Sequence, residues 1–567
     1  MSAAHKRLCN FRLPFAAALA MVCGVAAAYA CALYRIDYLY LTAAAPVAAA
    51  IFAVAAISRR SVKTLAYIAV VALFFAVGAA YAAAVFAKLA SLVPPDGEVL
   101  VSGRVEDVRF TSSGGVYFIL SRVTADGVHL PGRLLVYPGG AASGALEPGY
   151  SVSFRATVSA YELFSYGRLN YNAADGIYHF AEVSGAFEYS YGFSLFGGVR
   201  SAIYDALFKN LDFETASVVY AMITGGTQDM SQNTLDAFRY GGVAHIFAVS
   251  GMNVSILFAS IFFVLKKLRA GRWVSSIAAI AAVFFYVGVC GFTLSAVRAA
   301  VMCAVAALSS LAFAKYDQLN SLSLSVIIIL LVNPLNLFDV GFILSVAAML
   351  GIIFLCPNIN RLLARLPSGL RQNISMSLAS QAATFPTLML TFGYISGAGL
   401  ILNIIVVPVI SLLYILLFAC TVFCMVVPPA AAFVLPASAL PLQAVINFFV
   451  EFGFEDSLIS GTVGWPAAAA VFVAIAVASD KLNLRLRVRA AICAVCAAVF
   501  VFGCIGGGVG AADNSYSALP PVQTLCVYRC RCDDVSARPD CGGDLQFLCR
   551  DDIIDTRFKD NYEIYRT

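Results

Sequence analysis

Residues 398–427 read AGLILNIIVVPVISLLYILLFACTVFCMVV, thirty consecutive positions without a charged side chain. A helix that crosses the hydrocarbon core of a bilayer needs about 20 mostly apolar residues, so this stretch is long enough to span a membrane. Of the 567 residues in the chain, 61% are hydrophobic and 12% are charged, about half the charged share of a soluble domain. A soluble protein could not keep this much apolar surface from water, and the same proportions exclude a disordered or fibrous chain. The sequence therefore predicts a polytopic α-helical membrane protein.

Similar apolar stretches recur on both sides of this one and predict about 12–13 transmembrane spans in total. The N-terminal three lie near 13–33, 38–57 and 64–91. The others lie near 244–265, 273–291, 294–314, 319–332, 338–355, 374–395, 431–453, 464–479 and 490–509. The first span ends in Ala28-Tyr29-Ala30, a pattern typical of signal-peptidase sites, but we expect it to remain uncleaved because two more spans follow directly.

Basic clusters between the spans predict their orientation, because cytoplasmic loops are enriched in Lys and Arg. The clusters lie at 59–63, 266–272, 361–371 and 481–489. When all of them face the cytoplasm, the N-terminus is cytoplasmic, whereas the insert after the third span and the C-terminal tail are extracytoplasmic. The chain then divides into N-terminal transmembrane helices at 1–93, an insert at 94–195, interfacial helices at 196–240, a channel domain at 241–509 and a tail at 510–567.

The insert at 94–195 has the pattern of a small β-barrel of OB type. Five short alternating runs are separated by Gly, Pro, Asp and Ser, and they lie near 99–105, 115–120, 133–137, 151–158 and 177–181. OB barrels often bind single strands with aromatic side chains in a basic groove. This insert carries six Arg and ten acidic residues, a net charge of −4. Any binding groove must therefore be local, and the aromatic side chains are expected to form the core and rim of the barrel.

Residues 196–240 predict amphipathic helices on the extracytoplasmic membrane surface. Val199, Ile203 and Leu207 recur at helical spacing with charged residues between them, and a later helix starts near Ser231, a good N-cap residue. The tail at 510–567 holds five cysteines without a standard zinc spacing, so it either forms disulfides or is a degenerate end.

Polar side chains inside the spans are candidates for function, because a charged one costs about 2.5–3.5 kcal/mol at the centre of the bilayer. The densest stretch, 241–255, contains His245, Ser250, Gly251 and Asn253. His245 and Ser250 would lie about 140° apart on a regular helix, and no Gly-x-Ser-x-Gly elbow occurs, so a hydrolase site is not expected. Either a break at Ser250-Gly251 lets the backbone line a wet cavity, or the small residues serve tight helix packing.

Three further stretches place polar residues in or beside the later spans. Arg298 lies about one turn inside its span, where it either snorkels outward or faces a polar path and contacts phosphate. Asp339 lies at the outer mouth of a span and either N-caps the helix or pairs with Arg298. Gln381 and Asn403 lie in spans that contain prolines, and kinked helices with amides inside favour a water-filled path.

Four segments in this order resemble the ComEC family of competence DNA channels. The most specific pieces are AHIFAVSG at 244–251, Arg298-Ala299 with Met302, and DVGF at 339–342 with Leu344-Ser345. The resemblance covers most of the chain and implies an inner-membrane channel that passes one DNA strand into the bacterial cytoplasm during natural transformation. It implies pathway or structural roles for seven residues, namely His245, Ser250, Gly251, Arg298, Asp339, Ser345 and Asn403.

The resemblance also implies partners, and the chain departs from the family in two places. Besides single-stranded DNA and the lipid bilayer, such a channel works with a cytoplasmic ATPase, an extracytoplasmic DNA receptor and a separate nuclease, since no Walker motif occurs here. Asn253 stands where the family often has a second His, which argues against a two-histidine mechanism. The four His residues all precede position 246, so the metal-binding C-terminal domain of many members is not expected, nor is any metal or cofactor.

Three other functions stay open beside a channel without enzymatic activity. A transporter of another small solute would show substrate-dependent flux in proteoliposomes and leave DNA uptake unchanged. An intramembrane hydrolase that uses His245 or Ser250 would lose its function in Ser250→Ala. A truncated, inactive copy of the family would restore no uptake in a deletion strain.

Overall fold

The computed structural model describes residues 13–36, 62–92, 94–95, 97–110, 116–138, 149–190, 195–461 and 465–478, with gaps at 162, 166–167 and 186, and short pieces near 492–499 and 547–554. The predicted span near 38–57, most of the one near 490–509 and most of the cysteine-containing tail lie outside the described residues. Residues 1–520 form one compact unit, and residues 521–567 form a second, in which Phe547–Cys549 pairs with Asp552–Ile554.

Helices, most of them long, form most of the first unit, as the apolar stretches predict. They are α1 (Leu13–Leu33), α2 (Val62–Ala90), α3 (Tyr171–Ala174), α4 (Leu195–Phe208), α5 (Phe213–Thr224), α6 (Gln232–Tyr240), α7 (Gly251–Lys267), α8 (Arg272–Val289), α9 (Leu294–Leu311), α10 (Gln318–Val332), α11 (Val340–Leu362), α12 (Ser368–Thr391), α13 (Gly399–Val426), α14 (Ala431–Phe452) and α15 (Trp465–Ala478). Short 3-10 turns lie at Ala244–Ile246, Pro334–Phe338, Pro428–Ala430 and Glu455–Ser457.

Within the described part of the chain, seven helices are long and apolar enough to cross a membrane. They are α1, α2, α8, α9, α11, α13 and the stretch Pro428–Phe452 that contains α14. The other predicted spans of this part are helical as well, but α7, α10 and α15 are shorter and α12 carries many polar side chains. The polytopic helical fold is therefore confirmed, whereas the total of about 12–13 spans stays a prediction.

The insert is a closed five-stranded β-barrel. Including four short strands outside the barrel, the strands of the insert are β1 (Glu98–Phe110), β2 (Val116–Ala125), β3 (Val128–His129), β4 (Arg133–Tyr137), β5 (Ser151–Ala160), β6 (Phe164–Ser165), β7 (Arg168–Leu169), β8 (Ile177–Val183) and β9 (Glu188–Ser190). The barrel runs β1-β2-β4-β8-β5 and closes by antiparallel pairing of β5 with β1, while β4 and β8 are parallel. Alternate residues of β5, such as Val152 and Phe154, point into the core because successive side chains face opposite sides of a strand. All five predicted strands and the barrel are confirmed, and its assignment to the OB type stays a prediction.

The barrel packs on the helices through the β6–β7 hairpin. The ring of Phe164 lies 5.8 Å from that of Tyr29 and 6.2 Å from that of Phe86, at the ends of α1 and α2. Tyr29 also contacts Phe338, just before α11, with the ring centroids 4.5 Å apart. We call this side of the bundle the barrel end. Because the helices alternate in direction, α9 and α11 start at the barrel end, and the basic residues 266–272 and 361–371 lie at the opposite end.

The helices between barrel and bundle occur where the sequence predicts them, but one is not a surface helix. Asp212 caps α5, Ser231 caps α6, and Gly225 ends α5 in the left-handed conformation with φ of 85°. Every residue of α5 from 215 to 224 is buried, and its apolar side chains pack against Leu417 and Leu435 of α13 and α14. A helix lying flat on a membrane would expose one face, so α5 departs from that expectation. The interfacial position of the whole segment 196–240 stays a prediction.

Candidate functional site

The stretch 241–250 interrupts the bundle and forms no α-helix, only the short 3-10 turn Ala244–Ile246. Gly242 has a φ of 70°, and a Cβ atom there would lie 2.8 Å from the Cα atom of Gly399, so only glycine fits this close approach. Ser250 is extended, and α7 starts at Gly251, seven residues later than the predicted span near 244–265. In a membrane protein, such backbone is tolerated where it is buried in protein or lines a water-filled cavity.

This break lies about one helical turn inside the barrel end. Arg298 follows the start of α9 at Leu294 by four residues, a rise of about 6 Å. Its Nη2 atom lies 2.9 Å from the position that a Cβ atom of Gly251 would occupy. The start of α7 and the guanidinium group of Arg298 are therefore neighbours at the same depth.

His245 and Ser250 line the same small cavity. The side chain of His245 is exposed and borders this cavity. The cavity has a volume of about 20 Å³, room for about one water molecule, and its other polar lining residues are Asn253, Ser411 and Tyr414. The expectation that His245 and Ser250 lie about 140° apart assumed a regular α-helix and does not apply, because the chain between them leaves the 3-10 turn Ala244–Ile246 and is extended at Ser250.

Ser250 is used as a helix cap. Its Oγ atom accepts a hydrogen bond from the Asn253 N–H at 3.3 Å, and its hydroxyl donates to Asn253 Oδ1 at 3.2 Å. The Ser250 proton therefore goes to an amide oxygen and not to the His245 imidazole, so the geometry provides no general base for a serine nucleophile. Of the two readings of this stretch, the structure favours the broken helix that lines a cavity.

Arg298 is buried without a carboxylate partner. It is 4% exposed, and its Nε atom has no hydrogen-bond acceptor among the described residues. The sulfur of Met302, 3.9 Å from Nη1, is the acceptor recorded for the guanidinium group. Across the residues that the structure describes, no Asp or Glu forms a salt bridge with Arg298. The alternative in which Arg298 snorkels outward is therefore wrong for this structure.

Asp339 takes the first of its two predicted roles. Its Oδ1 atom accepts a hydrogen bond from the Phe342 N–H at 2.6 Å and so caps α11. The alternative, a pair with Arg298, is wrong, because these two described residues form no salt bridge.

The remaining predicted residues hold the surroundings together and do not line the cavity. Asn403 on α13 donates to the carbonyls of Gly399 at 2.7 Å and Gly242 at 3.2 Å, which fixes the glycine turn against α13. The Ser345 hydroxyl lies 3.1 Å from that of Ser295 and joins α11 to α9. On α12, Gln381 donates to Ser377 Oγ at 2.8 Å.

A pair of tyrosines beside the cavity was not predicted from the sequence. Tyr286 donates to the carbonyl of Ile223, at the end of α5, at 2.8 Å, and the Tyr414 hydroxyl lies 2.9 Å from that of Tyr286. Tyr414 also lines the cavity, so this hydrogen-bonded pair forms part of its wall. A hydroxyl in a span needs a partner, and that requirement is the signal that would have singled these residues out.

Comparisons with known proteins agree with these motifs. A family model for "Competence protein" matches residues 222–502, which contain the cavity, Arg298 and Asn403. The chain is 30% identical over 195 residues to ComE operon protein 3 of Bacillus subtilis (strain 168), a match that covers 34% of this chain and 25% of that relative. The alignment thus spans about a quarter of the relative's length, and no solved structure matches. The chain is a multi-pass membrane protein and belongs to the ComEC family of competence proteins.

Proposed function

We propose that this protein takes part in DNA uptake for competence, as a channel that carries one DNA strand across the cell membrane into the cytoplasm. The observation that carries the proposal is the break at 241–250, where the start of α7 meets Arg298 and borders a small cavity lined by His245 and Ser250. A DNA strand brings one negative charge per nucleotide, so its path needs cations or N–H groups inside the membrane. The channel carries out no covalent chemistry in this proposal.

The polar face of α12 supports a wet path. Six polar side chains fall within roughly 100° of its circumference, and none of them is buried: Asn373, Ser377, Ser380, Gln381, Thr384 and Thr391. On another side of the helix, Ala379 and Ala383 pack closely against Gly351 of α11. A helix with one packed face and one amide- and hydroxyl-bearing face is expected where a transmembrane helix borders water.

The structure corresponds to a closed state in this proposal. A cavity of about 20 Å³ holds one water molecule, whereas a nucleotide needs many times that volume. Conduction then requires α5, α8 and α13 to separate at the Tyr286–Tyr414 pair. The free energy for transport would come from a partner ATPase or from the membrane potential, and the DNA receptor and the nuclease would be separate proteins.

Uptake of labelled DNA tests the proposal directly. The native gene is deleted, and the strain is complemented with this chain alone or with an empty vector. We expect internalised, nuclease-resistant label and transformants only with the chain. If immunoblots show the chain in the membrane but neither label nor transformants appear, the proposal is wrong. A substrate-dependent flux of a small solute in proteoliposomes would then favour the transporter alternative.

A further inference from the structure

The start of α7 brings together two positive charges, and none of the carboxylates that the structure describes forms a salt bridge with Arg298 there. The N-terminus of a helix carries about half a positive elementary charge, which a carboxylate or another anion ordinarily complements. Here the neighbour is the guanidinium group of Arg298, which remains charged at all physiological pH values. Arg298 is 4% exposed, so water screens this charge poorly.

Several donors at this place are free. The Asn253 N–H is bound by Ser250 Oγ, but the N–H groups of Gly251 and Met252 have no acceptor among the residues that the structure describes. The Nε atom of Arg298 is likewise without an acceptor there. Two backbone donors and a buried, unpaired guanidinium therefore converge within the first turn of α7.

Glycine at position 251 permits this convergence. A Cβ atom at this residue would lie 2.9 Å from Nη2 of Arg298, too close for the guanidinium to remain where it is. Glycine at this position therefore leaves the guanidinium room to lie against the first turn of α7.

We propose that the first turn of α7 and Arg298 form an anion site that binds one phosphodiester group of a nucleic acid strand. The planar fork of a guanidinium matches two oxygens of a phosphate group, and free N–H groups at a helix start match a third. The adjoining cavity, lined by His245 and Asn253, gives the bound group polar neighbours. The identity of the anion as DNA backbone rests on the proposed function, whereas the phosphate chemistry rests on the donors themselves.

Binding to the purified full chain in neutral phosphatidylcholine nanodiscs tests the site. The probe is a fluorescent abasic oligodeoxynucleotide, which presents phosphodiesters without bases. We expect it to bind the native protein, with inorganic phosphate competing, and a methylphosphonate oligomer of the same length to bind at least tenfold more weakly. Arg298→Gln is expected to weaken binding of the charged oligomer at least tenfold, and Arg298→Lys less, because it keeps the charge but loses the fork.

Two further variants control for folding and for charge. Gly251→Ala keeps the arginine but displaces its guanidinium, so it is expected to weaken binding severalfold. Arg272→Gln removes an exposed cation at the opposite end, which donates to the Ser310 carbonyl, and is expected to leave binding unchanged. Equal binding by the native protein, Arg298→Gln and Gly251→Ala would overturn the site, whatever the uptake assay shows. Loss of binding in both variants supports it, even in a strain where uptake fails.

Discussion

Two helices that start at the barrel end differ in how their first turns are complemented. The start of α11 receives the carboxylate of Asp339, which lies 2.6 Å from the Phe342 N–H. The start of α7 receives a neutral hydroxyl from Ser250 and faces the buried cation of Arg298. A carboxylate at a helix start stabilises the fold, whereas a cation there opposes the helix dipole. The start of α11 therefore has its own anion in Asp339, whereas the start of α7 is suited to receive an anion from outside.

The largest expected effect is on DNA uptake in Arg298→Ala. Removing the cation takes away charged hydrogen bonds worth about 2–5 kcal/mol, so we expect uptake to fall by about thirtyfold or more. The measurement is nuclease-resistant label per cell, with membrane levels of the variant checked by immunoblot. Arg272→Ala, which removes an exposed cation from the opposite end, should transform normally. Normal transformation by Arg298→Ala would exclude Arg298 from the pathway.

Replacing Arg298 should lower DNA uptake but raise the stability of the fold. Arg298→Met keeps the length of the side chain and removes a buried, unpaired charge, so we expect a gain of about 1–4 kcal/mol in the free energy of unfolding. Thermal unfolding of the purified protein in neutral nanodiscs measures it. A variant that is more stable but inactive would show that Arg298 serves function at the expense of the fold. A clear loss of stability would instead indicate that the guanidinium has a structural partner.

Asp339 should matter for stability and not for phosphodiester binding, the reverse of what we expect for Arg298. Asp339→Ala removes the cap of α11 and is expected to lower the free energy of unfolding by about 1 kcal/mol, within the usual 0.5–2 kcal/mol for such caps. Asp339→Asn keeps a capping oxygen and should recover most of the loss. Phosphodiester binding should be close to native in both variants. If Asp339→Ala impaired binding as strongly as Arg298→Gln, the two helix starts would not be functionally distinct.

Ser250→Ala tests whether the cap of α7 matters only for the fold. Loss of the Asn253 N–H bond should lower the free energy of unfolding by about 1 kcal/mol, and uptake should persist because no step needs the hydroxyl as a nucleophile. Uptake and thermal unfolding are measured on the same variant. Complete loss of uptake with a normal membrane level would revive the hydrolase alternative.

The sequence predicts those parts of the fold that depend on local composition. Apolar length locates α1, α8 and α13 within a few residues, and period-two alternation locates all five barrel strands. The burial of α5 was not predictable in this way, because Ser217 and Thr224 look like surface residues. In the structure they bond to the carbonyls of Glu214 and Tyr220 of their own helix, at 2.7 and 2.8 Å, and this allows burial.

The arrangement of the candidate site at 241–255 was likewise not predictable from local sequence. Polar residues in spans drew attention to His245, Ser250 and Arg298, but the arrangement of these residues depends on contacts between distant segments. At the break, Gly242 meets Gly399 across 157 positions of sequence, and a helical projection of the chain cannot include such a contact. The free N–H groups of α7 follow from that break, so they too were outside the reach of a sequence pattern.

The smallest expected effect concerns a second buried polar atom without a partner, in the barrel. His179 on β8 is 1% exposed, and its Nε2 atom has no hydrogen-bond partner in the described part of the chain. Burial lowers the pKa of His179 below its ordinary value, so the folded barrel keeps this imidazole neutral. Below about pH 6.5 the unfolded chain binds a proton that the folded chain rejects, and the barrel therefore loses stability as the pH falls.

Hydrogen exchange of the barrel strands in the full chain measures this effect, after correction for the intrinsic pH dependence of exchange. Protection should decrease between pH 7.5 and pH 5.5 in the native protein and much less in His179→Gln. His129→Gln changes an exposed histidine on β3 and should retain the native pH dependence. An unchanged slope in His179→Gln would contradict the prediction. A buried histidine can lose its proton and become neutral, whereas the guanidinium of Arg298 stays charged. The barrel therefore tolerates the unpaired atom of His179 without a ligand, while the start of α7 requires an anion.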